Sequence, residues 1–259
     1  MAEPLVSCVM VTKDRLLLAR RAVECFTKQT WGNKELVIID DGDQDYTPML
    51  DAYRASAPIR YFRVKPDPGA RLGDLRNLSL DRANGEFVAQ WDDDEWCHPE
   101  RLELQMRAVV GGLDVAVLRN TLYHLDTPGF VDHLFSTCMR DGARPGTILH
   151  RRSNARYRSL SRAEDTEYLA RLGETLRVGV LDAPHSHLFV RCFHGKNTWD
   201  LNHFEGALRI TARDALGFFV AKYVRRNLLG HRRFRLSELE REAAEQFLKH
   251  SRALGILQS

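Results

Sequence analysis

The sequence predicts an α/β protein with a mostly parallel central sheet flanked by helices. Short, nearly continuous apolar runs of strand length alternate with longer amphipathic stretches through the first half of the chain. Polar clusters follow three of these runs, at residues 12–14, 40–43 and 92–95. Ligands of open α/β sheets bind at the carboxyl ends of strands, so these clusters predict one shared ligand crevice.

The first half of the chain alternates strand and helix without interruption. Strands are predicted at residues 5–11, 36–39, 59–64 and 86–89, and helices at residues 16–30, 45–55 and 71–83. Asn84-Gly85 is a suitable stop for the third helix. This alternation is typical of right-handed crossover units, which build parallel sheets.

The second half is less regular. A helix at 100–110 and a strand at 114–118 precede a mixed stretch that runs to residue 144, and further strands are predicted at residues 146–150, 177–181 and 188–193. The basic, polar residues 151–161 predict a mobile lid. The spacing of Ser161 and Glu164 predicts a capping box for a helix that continues to Leu172.

Composition limits the class of protein. The chain has 259 residues, 44% of them hydrophobic and 28% charged, as in ordinary globular proteins. A net charge of +3 is too small to imply nucleic-acid binding. We see no membrane-spanning apolar run and no signal peptide, and the five scattered cysteines form no Cys-x-x-Cys pair. These features predict a reduced, cytoplasmic protein.

The chain is organised around Asp92-Asp93-Asp94-Glu95, which lies between Trp91 and Trp96. Adjacent carboxylates repel one another, and a protein that packs them beside two tryptophans needs a cation to neutralise them. Oxygen ligands at the mouth of a strand suit Mg²⁺ or Mn²⁺ shared with substrate phosphates. The alternative interpretation is an acidic, solvated loop.

Two further segments carry candidate chemistry. Glu164 and Asp165 begin a predicted helix, where acids also occur for dipole reasons alone. His194 ends a strand beside Lys196 and Asn197, which can bind phosphate oxygens or complete a metal shell. No glycine-rich phosphate loop is present, so phosphates would have to be held through a metal.

With these segments assembled, the chain resembles the inverting family 2 glycosyltransferases of the GT-A fold. The resemblance covers roughly residues 4–200 and rests on six segments and a seventh found in some members: 9–15, 35–42, 71 with 75–77, 84–88, 91–102, 164–165 and 194–199. Each motif is weak alone, but their number and order make the set specific.

The resemblance implies a role for each matching position. Asp92-x-Asp94 would be the DxD motif, with Asp94 and Asp92 on the metal together with His194, and Asp165 would be the general base. The nucleotide sugar would be bound by Thr12, Asp14, Arg15, Asp40, Asp41, Arg71, Asp92, Asp93, Glu164, Lys196 and Asn197. The cofactor would be Mn²⁺ or Mg²⁺.

The implied reaction is a single displacement. A divalent cation, with Arg71 or Lys196, would stabilise the leaving nucleoside diphosphate. Asp165 would deprotonate an acceptor hydroxyl on the opposite face of the sugar. One base without a covalent nucleophile implies inversion at the anomeric carbon, in bacterial-type glycan or glycoconjugate biosynthesis. The expected donor is a UDP-sugar, and glycan, lipid-linked, peptide and small-molecule acceptors all stay open.

Two other functions are compatible with parts of the pattern. A nucleotidyltransferase that makes nucleotide sugars would share a similar sheet, but it would carry a glycine-rich loop where Asp14-Arg15-Leu16 stands. A non-catalytic nucleotide-sugar-binding protein would not need intact acids at both Asp94 and Asp165.

The resemblance also divides the chain. Residues 1–200 are predicted to form the catalytic domain, with a nucleotide-binding half at 1–118 and an acceptor-side half at 119–200. Residues 201–259 are predicted to form a helical extension. Its basic residues suit peripheral contact with the inner face of a membrane: Lys222, Arg225, Arg226, His231, Arg232, Arg233 and Arg235.

Overall fold

The structure, a computed structural model, describes residues 3–138, 142–197, 200–205, 212–226, 230–231 and 234–258. The strands are β1 (Val6–Thr12), β2 (Lys34–Asp40), β3 (Ile59–Arg63), β4 (Phe87–Gln90), β5 (Trp96–Cys97), β6 (Val115–Leu118), β7 (Asn120–Leu125), β8 (Leu134–Cys138), β9 (Arg144–Arg151), β10 (Val178–Leu181) and β11 (Phe189–Phe193). The α-helices are α1 (Leu16–Thr27), α2 (Thr47–Arg54), α3 (Leu72–Arg82), α4 (Arg101–Val110), α5 (Glu164–Thr175), α6 (Leu201–Glu205), α7 (Ala212–Phe219) and α8 (Glu238–Ala253), with a 3₁₀ helix at Ala183–Leu188 and a π-helical turn at Val220–Val224.

The main sheet has seven strands in the order β10-β6-β9-β4-β1-β2-β3. All neighbours are parallel except β9, which runs antiparallel to both β4 and β6. The apolar runs that predicted β1, β2 and β4 are buried along almost their whole length, as expected for strands covered on both faces. The predicted α/β fold with a mostly parallel central sheet is confirmed.

The three polar clusters lie at one edge of this sheet. β4, β1 and β2 are adjacent and parallel, so their carboxyl ends meet. Thr12 at the end of β1 is in register with Asp40 at the end of β2. The three polar clusters therefore lie side by side at the sheet edge where the ligand crevice was predicted.

A second, four-stranded sheet in the order β5-β11-β7-β8 stands beside this edge. Its strands β7 and β8 form in the stretch 119–144 that the sequence pattern left unassigned. β5 follows the acid cluster directly and pairs antiparallel with β11. This pairing brings the end of β11, with His194 after it, to the acid cluster.

The loop before α5 differs from the prediction. Helix α5 begins after Ala163, whose φ is 57°, so Ser161 does not form the predicted capping box. In the segment 151–161 the Tyr157 ring stacks on Tyr168 at 3.8 Å, and the Asn77 side chain bonds both the backbone N–H and carbonyl of Tyr157, while a mobile lid stays a prediction. Stacking and backbone pairing hold this segment on α3.

The C-terminal region is helical in its described parts. A capping box between Ser237 and Glu240 starts α8, which buries Ala243 and Phe247 against the main core beside Trp96. The division into a catalytic domain at 1–200 and an extension at 201–259 stays a prediction.

The predicted membrane-contact surface is only partly visible. The side chain of Lys222 and residues Arg232 and Arg233 lie outside the described residues. Phe219 is 55% exposed and Val224 68% exposed on the described helical turns. Among the described residues, no helix is both long enough and apolar enough to cross a bilayer. Peripheral membrane contact and a cytoplasmic location stay predictions.

Candidate active site

The site centres on a cleft at the carboxyl ends of β1 and β4. The residues that line it and bear on its chemistry are Arg15, Arg76, Asp92, Asp93, Asp94, Glu95, Glu164, Asp165, Arg191 and Asn197. Four arginines line the cleft with Arg162 included, and three of them, Arg15, Arg76 and Arg191, lie beside the four successive carboxylates. The predicted clustering of these acids with Arg15, Glu164, Asp165 and Asn197 is present.

Arg76 forms hydrogen bonds with two of the acids that line the cleft. Its Nη2 donates to Asp92 Oδ1 at 2.8 Å and its Nε donates to Glu164 Oε1 at 3.0 Å. Arg76 is only 6% exposed. Burial alone would lower the pKa of Arg76, but the carboxylates beside it hold that pKa above its ordinary value. Burial raises the pKa of Glu164, and Arg76 opposes the rise.

Asp93 is the most deeply buried acid of the cluster, at 1% exposure. Thr12 Oγ1 donates to its Oδ2 at 2.7 Å, and Arg15 Nη2 lies 2.8 Å from its Oδ1. Burial raises the pKa of Asp93 to about 7, with Arg15 opposing the rise and Asp94 adding to it. Thr12 therefore contacts the acid cluster through Asp93, its most buried carboxylate.

This shift predicts a pH-dependent difference between wild type and D93N. Because the pKa of folded Asp93 lies above the ordinary 3.8, the folded state binds the proton more tightly from about pH 4 to 7. The free energy of unfolding of wild type should therefore fall relative to D93N as pH rises through this window, by at most roughly 1.4 kcal/mol per pH unit, and then level off. Urea unfolding at pH 5, 6, 7 and 8 measures it. The exposed D51N control should show no such trend, and equal slopes for wild type and D93N would contradict the assignment.

Asp94 connects the cluster to the segment after β11. Its Oδ2 accepts from Arg15 Nη1 at 2.9 Å and lies 3.2 Å from His194 Nε2. Its carbonyl accepts from Arg21 Nη2 at 2.7 Å. Although burial opposes it, the hydrogen bond with His194 and the charge of Arg15 hold the pKa of Asp94 well below its usual range.

Asp94 and His194 fit two positions of a divalent cation. Adjacent ligands of an octahedral Mg²⁺ or Mn²⁺ are roughly 3 Å apart, close to the 3.2 Å between Asp94 Oδ2 and His194 Nε2. Arg15 uses the same carboxylate oxygen, so a cation would compete with it. Asp92 pairs with Arg76 instead, and among the described residues the three predicted ligands do not all approach within 4.8 Å. The full predicted ligand set thus stays a prediction.

Asp165 lies where two cavities meet. It lines the acid cleft and also a neighbouring cavity with Arg144, Phe189, Arg191 and His203. Its Oδ1 accepts from the backbone N–H of Thr166 at 2.7 Å, which fixes one oxygen at the start of α5. Asp165 is thus accessible from both cavities, as are Asp92, Glu95 and Arg191.

Glu95 faces the same boundary but is tied to the second sheet. Its Oε2 accepts from the backbone N–H of Cys192 at 2.7 Å, and Oε1 lies 3.9 Å from Arg191 Nε. Burial and the neighbouring Asp94 charge raise the pKa of Glu95 well above its ordinary value. Glu95 therefore anchors β11 to the acid cluster.

Several predicted donor-binding residues lie beside the lining of the cleft rather than in it. Buried Asp40 accepts from Tyr61 Oη at 2.6 Å and from the Gly42 N–H at 2.9 Å. Asp14, at a φ of 49°, accepts from two backbone N–H groups of the loop after β2. Asp41 pairs with Lys13 at 3.1 Å. These acids shape the two loops that border the cleft.

Arg71, Lys196 and Asn197 differ in placement. Arg71 is exposed at the start of α3, next to Leu72 of the lining. Lys196 is exposed in the loop after β11. Asn197 accepts from the His194 N–H at 2.8 Å and donates to the Cys192 carbonyl at 2.9 Å, which holds His194 at the cluster. Thr198 and Trp199 of the same predicted segment lie outside the described residues.

Sequence reasoning gave no role to Arg76 or Arg191. The helical spacing of Gly73, Arg76 and Leu80 places Arg76 on the buried face of α3, a signal that the pattern contained. Arg191 gave no such signal, because β11 belongs to a second sheet whose position depends on long-range pairing.

Comparison with known proteins places this site in a family context. The family model for glycosyl transferase family 2 matches residues 7–165. EpsH of Bacillus subtilis (strain 168) is 29% identical over 132 residues, which are 51% of this chain and 38% of EpsH. The succinoglycan biosynthesis protein ExoO of Rhizobium meliloti is 31% identical over 107 residues, or 41% of this chain and 30% of ExoO. The chain therefore spans well under half the length of these relatives.

Solved structures share the fold. Staphylococcus aureus TarS residues 1–349, in complex with UDP, gives a TM-score of 0.58 at 15% identity and covers 98% of this chain and 88% of that chain. The mannosyltransferase PcManGT of Pyrobaculum calidifontis, in complex with GDP-Man and Mn²⁺, gives 0.56 at 13% identity and covers 99% and 73%. The predicted GT-A fold is confirmed by these neighbours. With a family model matched over more than half of its length, the chain belongs to glycosyl transferase family 2.

Proposed function

We propose that this protein is a metal-dependent, inverting glycosyltransferase that moves a sugar from a nucleotide-diphosphate sugar to an acceptor hydroxyl. The observation that carries the proposal is the cleft itself, in which Asp92, Asp93, Asp94 and Asp165 converge with Arg15 and Arg76 at the carboxyl ends of parallel strands. Family membership favours sugar transfer over nucleotidyl transfer.

The donor is proposed to lie along the ends of β1, β2 and β4. Thr12, Asp40 and Asp41 border the place where a nucleoside would sit, and Asp92 or Asp93 would accept from its ribose. The TarS complexes with UDP and UDP-GlcNAc and the PcManGT complex with GDP-Man support a nucleotide-sugar donor. A uridine nucleotide is our first expectation.

A divalent cation would be held by Asp94 and His194, and Asp92 is its third proposed ligand. The Mn²⁺ in PcManGT supports this choice of metal class. Bound there, Mn²⁺ or Mg²⁺ would neutralise negative charge on the diphosphate. Arg15 contacts Asp93 and Asp94 and would turn to the diphosphate when the acids are occupied.

Asp165 is proposed to act as the general base. It would take the proton of the acceptor hydroxyl while the acceptor oxygen bonds to the anomeric carbon and the bond from that carbon to the diphosphate oxygen breaks. The nucleoside diphosphate leaves with the electron pair, and Arg15, Arg71 and Lys196 are the side chains proposed to stabilise its charge. Attack from the face opposite the leaving group inverts the anomeric centre.

The acceptor is proposed to enter through the second cavity. Arg144, Phe189, Arg191 and His203 line it together with Asp165, and all four belong to the part of the chain after residue 118. Arg144, Phe189 and Arg191 belong to the acceptor-side half proposed at 119–200, whereas His203 belongs to the proposed extension and Asp92 and Glu95 of the nucleotide-binding half at 1–118 also line this cavity. The succinoglycan biosynthesis name of ExoO supports a role in bacterial-type glycan assembly.

Calorimetric binding of UDP, GDP, CDP and dTDP, each with Mn²⁺, Mg²⁺ or EDTA, tests the donor site. We expect one nucleotide to bind in the presence of metal and at least tenfold more weakly in EDTA. The D92A/D94A variant should lose the metal-dependent part, because the diphosphate then has no metal to bridge it to the protein.

The matched control is D51A/D81A, which removes two exposed surface acids and should bind like wild type. Circular dichroism of both double variants checks that the fold is retained. A wild-type protein that binds none of the four nucleotides would overturn the proposal, and the acid cluster would then be a structural feature of the fold.

A further inference from the structure

Three side chains that do not line the acid cleft form a cluster of their own. His98 follows β5, Glu100 precedes α4, and His187 lies in the 3₁₀ helix Ala183–Leu188. One ligand atom from each lies within 4.8 Å of the other two. The imidazole rings of His98 and His187 are 5.1 Å apart and nearly perpendicular, at 76°. The backbone bond from the His98 N–H to the Leu188 carbonyl, at 3.0 Å, holds the two segments together.

His187 has unused hydrogen-bonding capacity. It is 5% exposed, and its Nδ1 makes no hydrogen bond of good geometry with any described residue. Buried polar atoms are nearly always satisfied, so a buried imidazole that has an open ring nitrogen and also belongs to this cluster points to a missing ligand. A bound ion or an ordered water would supply the partner that His187 Nδ1 lacks.

The donor set selects among ions. Two imidazoles with one carboxylate suit Zn²⁺, which binds three protein ligands with water in a fourth position, whereas Mg²⁺ and Ca²⁺ prefer oxygen ligands throughout. A neutral imidazole ring has a lone pair that can bind a metal ion.

The spacing needs only a small adjustment. His98 Nδ1 and Glu100 Oε2 are 3.8 Å apart, and a ring nitrogen of His187 lies within 4.8 Å of the other two ligand atoms. Ligands of a tetrahedral Zn²⁺ are roughly 3.4 Å apart at ordinary bond lengths, so the three groups would draw together on binding. The Glu100 side chain is 52% exposed and can move toward the rings. His98 Nδ1 accepts from the Glu100 N–H at a long 3.3 Å, so this lone pair is weakly engaged.

We propose that His98, Glu100 and His187 bind one Zn²⁺ ion at a site separate from the acid cleft. The ion would connect the start of α4 to the 3₁₀ helix that leads into β11. Since β11 carries Arg191 and ends just before His194, a bound ion would stabilise the strand that closes one side of the cleft, without entering it. The inference does not depend on the reaction that the cleft performs.

The test uses metal-free protein prepared with EDTA and titrated with Zn²⁺ against a chromophoric chelator, followed by Co²⁺ to obtain its visible spectrum. With the proposed cation site of the acid cleft disabled by D94N, the protein should take up one Zn²⁺ per chain, show the visible bands of four-coordinate Co²⁺, and melt at higher temperature with Zn²⁺ than without. In the same D94N background, H187A and H98Q should bind at least 100-fold more weakly, and E100Q about tenfold more weakly.

Matched controls distinguish Zn²⁺ binding at this site from binding by other histidines and acids. H133A removes an exposed histidine and E103Q neutralises another acid at the start of α4, and in the D94N background both should bind like D94N alone. D94N should also keep the Zn²⁺ site, because it alters only the acid cleft. If H187A is too unstable to purify, H98Q provides the same test at a side chain that is less buried. Binding that survives H98Q in the D94N background, binding lost in D94N alone, or wild type that takes up no ion would each overturn the proposal.

Discussion

The D165N variant is expected to transfer sugar about 10²–10⁴-fold more slowly than wild type while it binds nucleotide within a few-fold of wild type. The amide keeps the size of the side chain but cannot accept the acceptor's proton. Donor affinity should be nearly unchanged, because Asp165 lies at the junction with the second cavity rather than among the Asp94 and His194 contacts. Release of nucleoside diphosphate from the bound donor measures the rate, and calorimetry measures the affinity.

The control for this variant is E174Q, the same carboxylate-to-amide type of change at the exposed far end of α5. It should retain wild-type rate and affinity. If D165N transfers sugar at close to the wild-type rate, then Asp165 is not the base. If D165N loses rate and nucleotide affinity together, then Asp165 belongs to the donor site instead.

The R76M variant is expected to lose about 3–5 kcal/mol of unfolding free energy, the largest stability effect that we predict. Arg76 is buried between Asp92 and Glu164, and its removal takes from each of these carboxylates the cation that it contacts in the described part of the chain. Methionine fills part of the space but neutralises neither carboxylate. Urea unfolding at pH 7 measures the loss.

Two variants show whether unpaired charge causes the loss. R71M changes the exposed arginine at the start of the same helix and should alter stability by less than about 0.5 kcal/mol. R76M/E164Q removes one of the two stranded carboxylates and should recover a measurable part of the stability lost in R76M. If R71M and R76M are equally stable, then the buried pairing of Arg76 contributes nothing, contrary to the structure.

The contrast between Arg71 and Arg76 shows which features the local sequence pattern predicts and which it does not. Except for the two-residue strand β5, the order of strands and helices through residue 118 followed from apolar runs and turn residues, because each of these elements depends mainly on neighbouring residues. The acid cluster was placed correctly at the sheet edge for the same reason. Which arginine of α3 faces the cluster depends on how the helix packs, and the family motif directed attention to Arg71.

The second sheet could not be predicted from the local sequence pattern. β7 and β8 lie in the unassigned stretch, and β11 pairs with β5 across about a hundred residues of sequence. Those pairings position Arg191 and His194 at the cleft and bring His187 to His98. Local propensity cannot encode such contacts, because each residue's partner lies far along the chain.

The α/β class, the crevice edge and the acids Asp92–Glu95 and Asp165 that line it could be predicted from the residues alone, because hydrophobic periodicity and residue chemistry are local properties. The folded structure was needed to show that Arg76 bridges Asp92 and Glu164, that Thr12 donates to Asp93, and that Asp94 contacts His194. Each of these contacts joins segments that are distant in sequence, and their geometry is fixed by the packing of sheets and helices together.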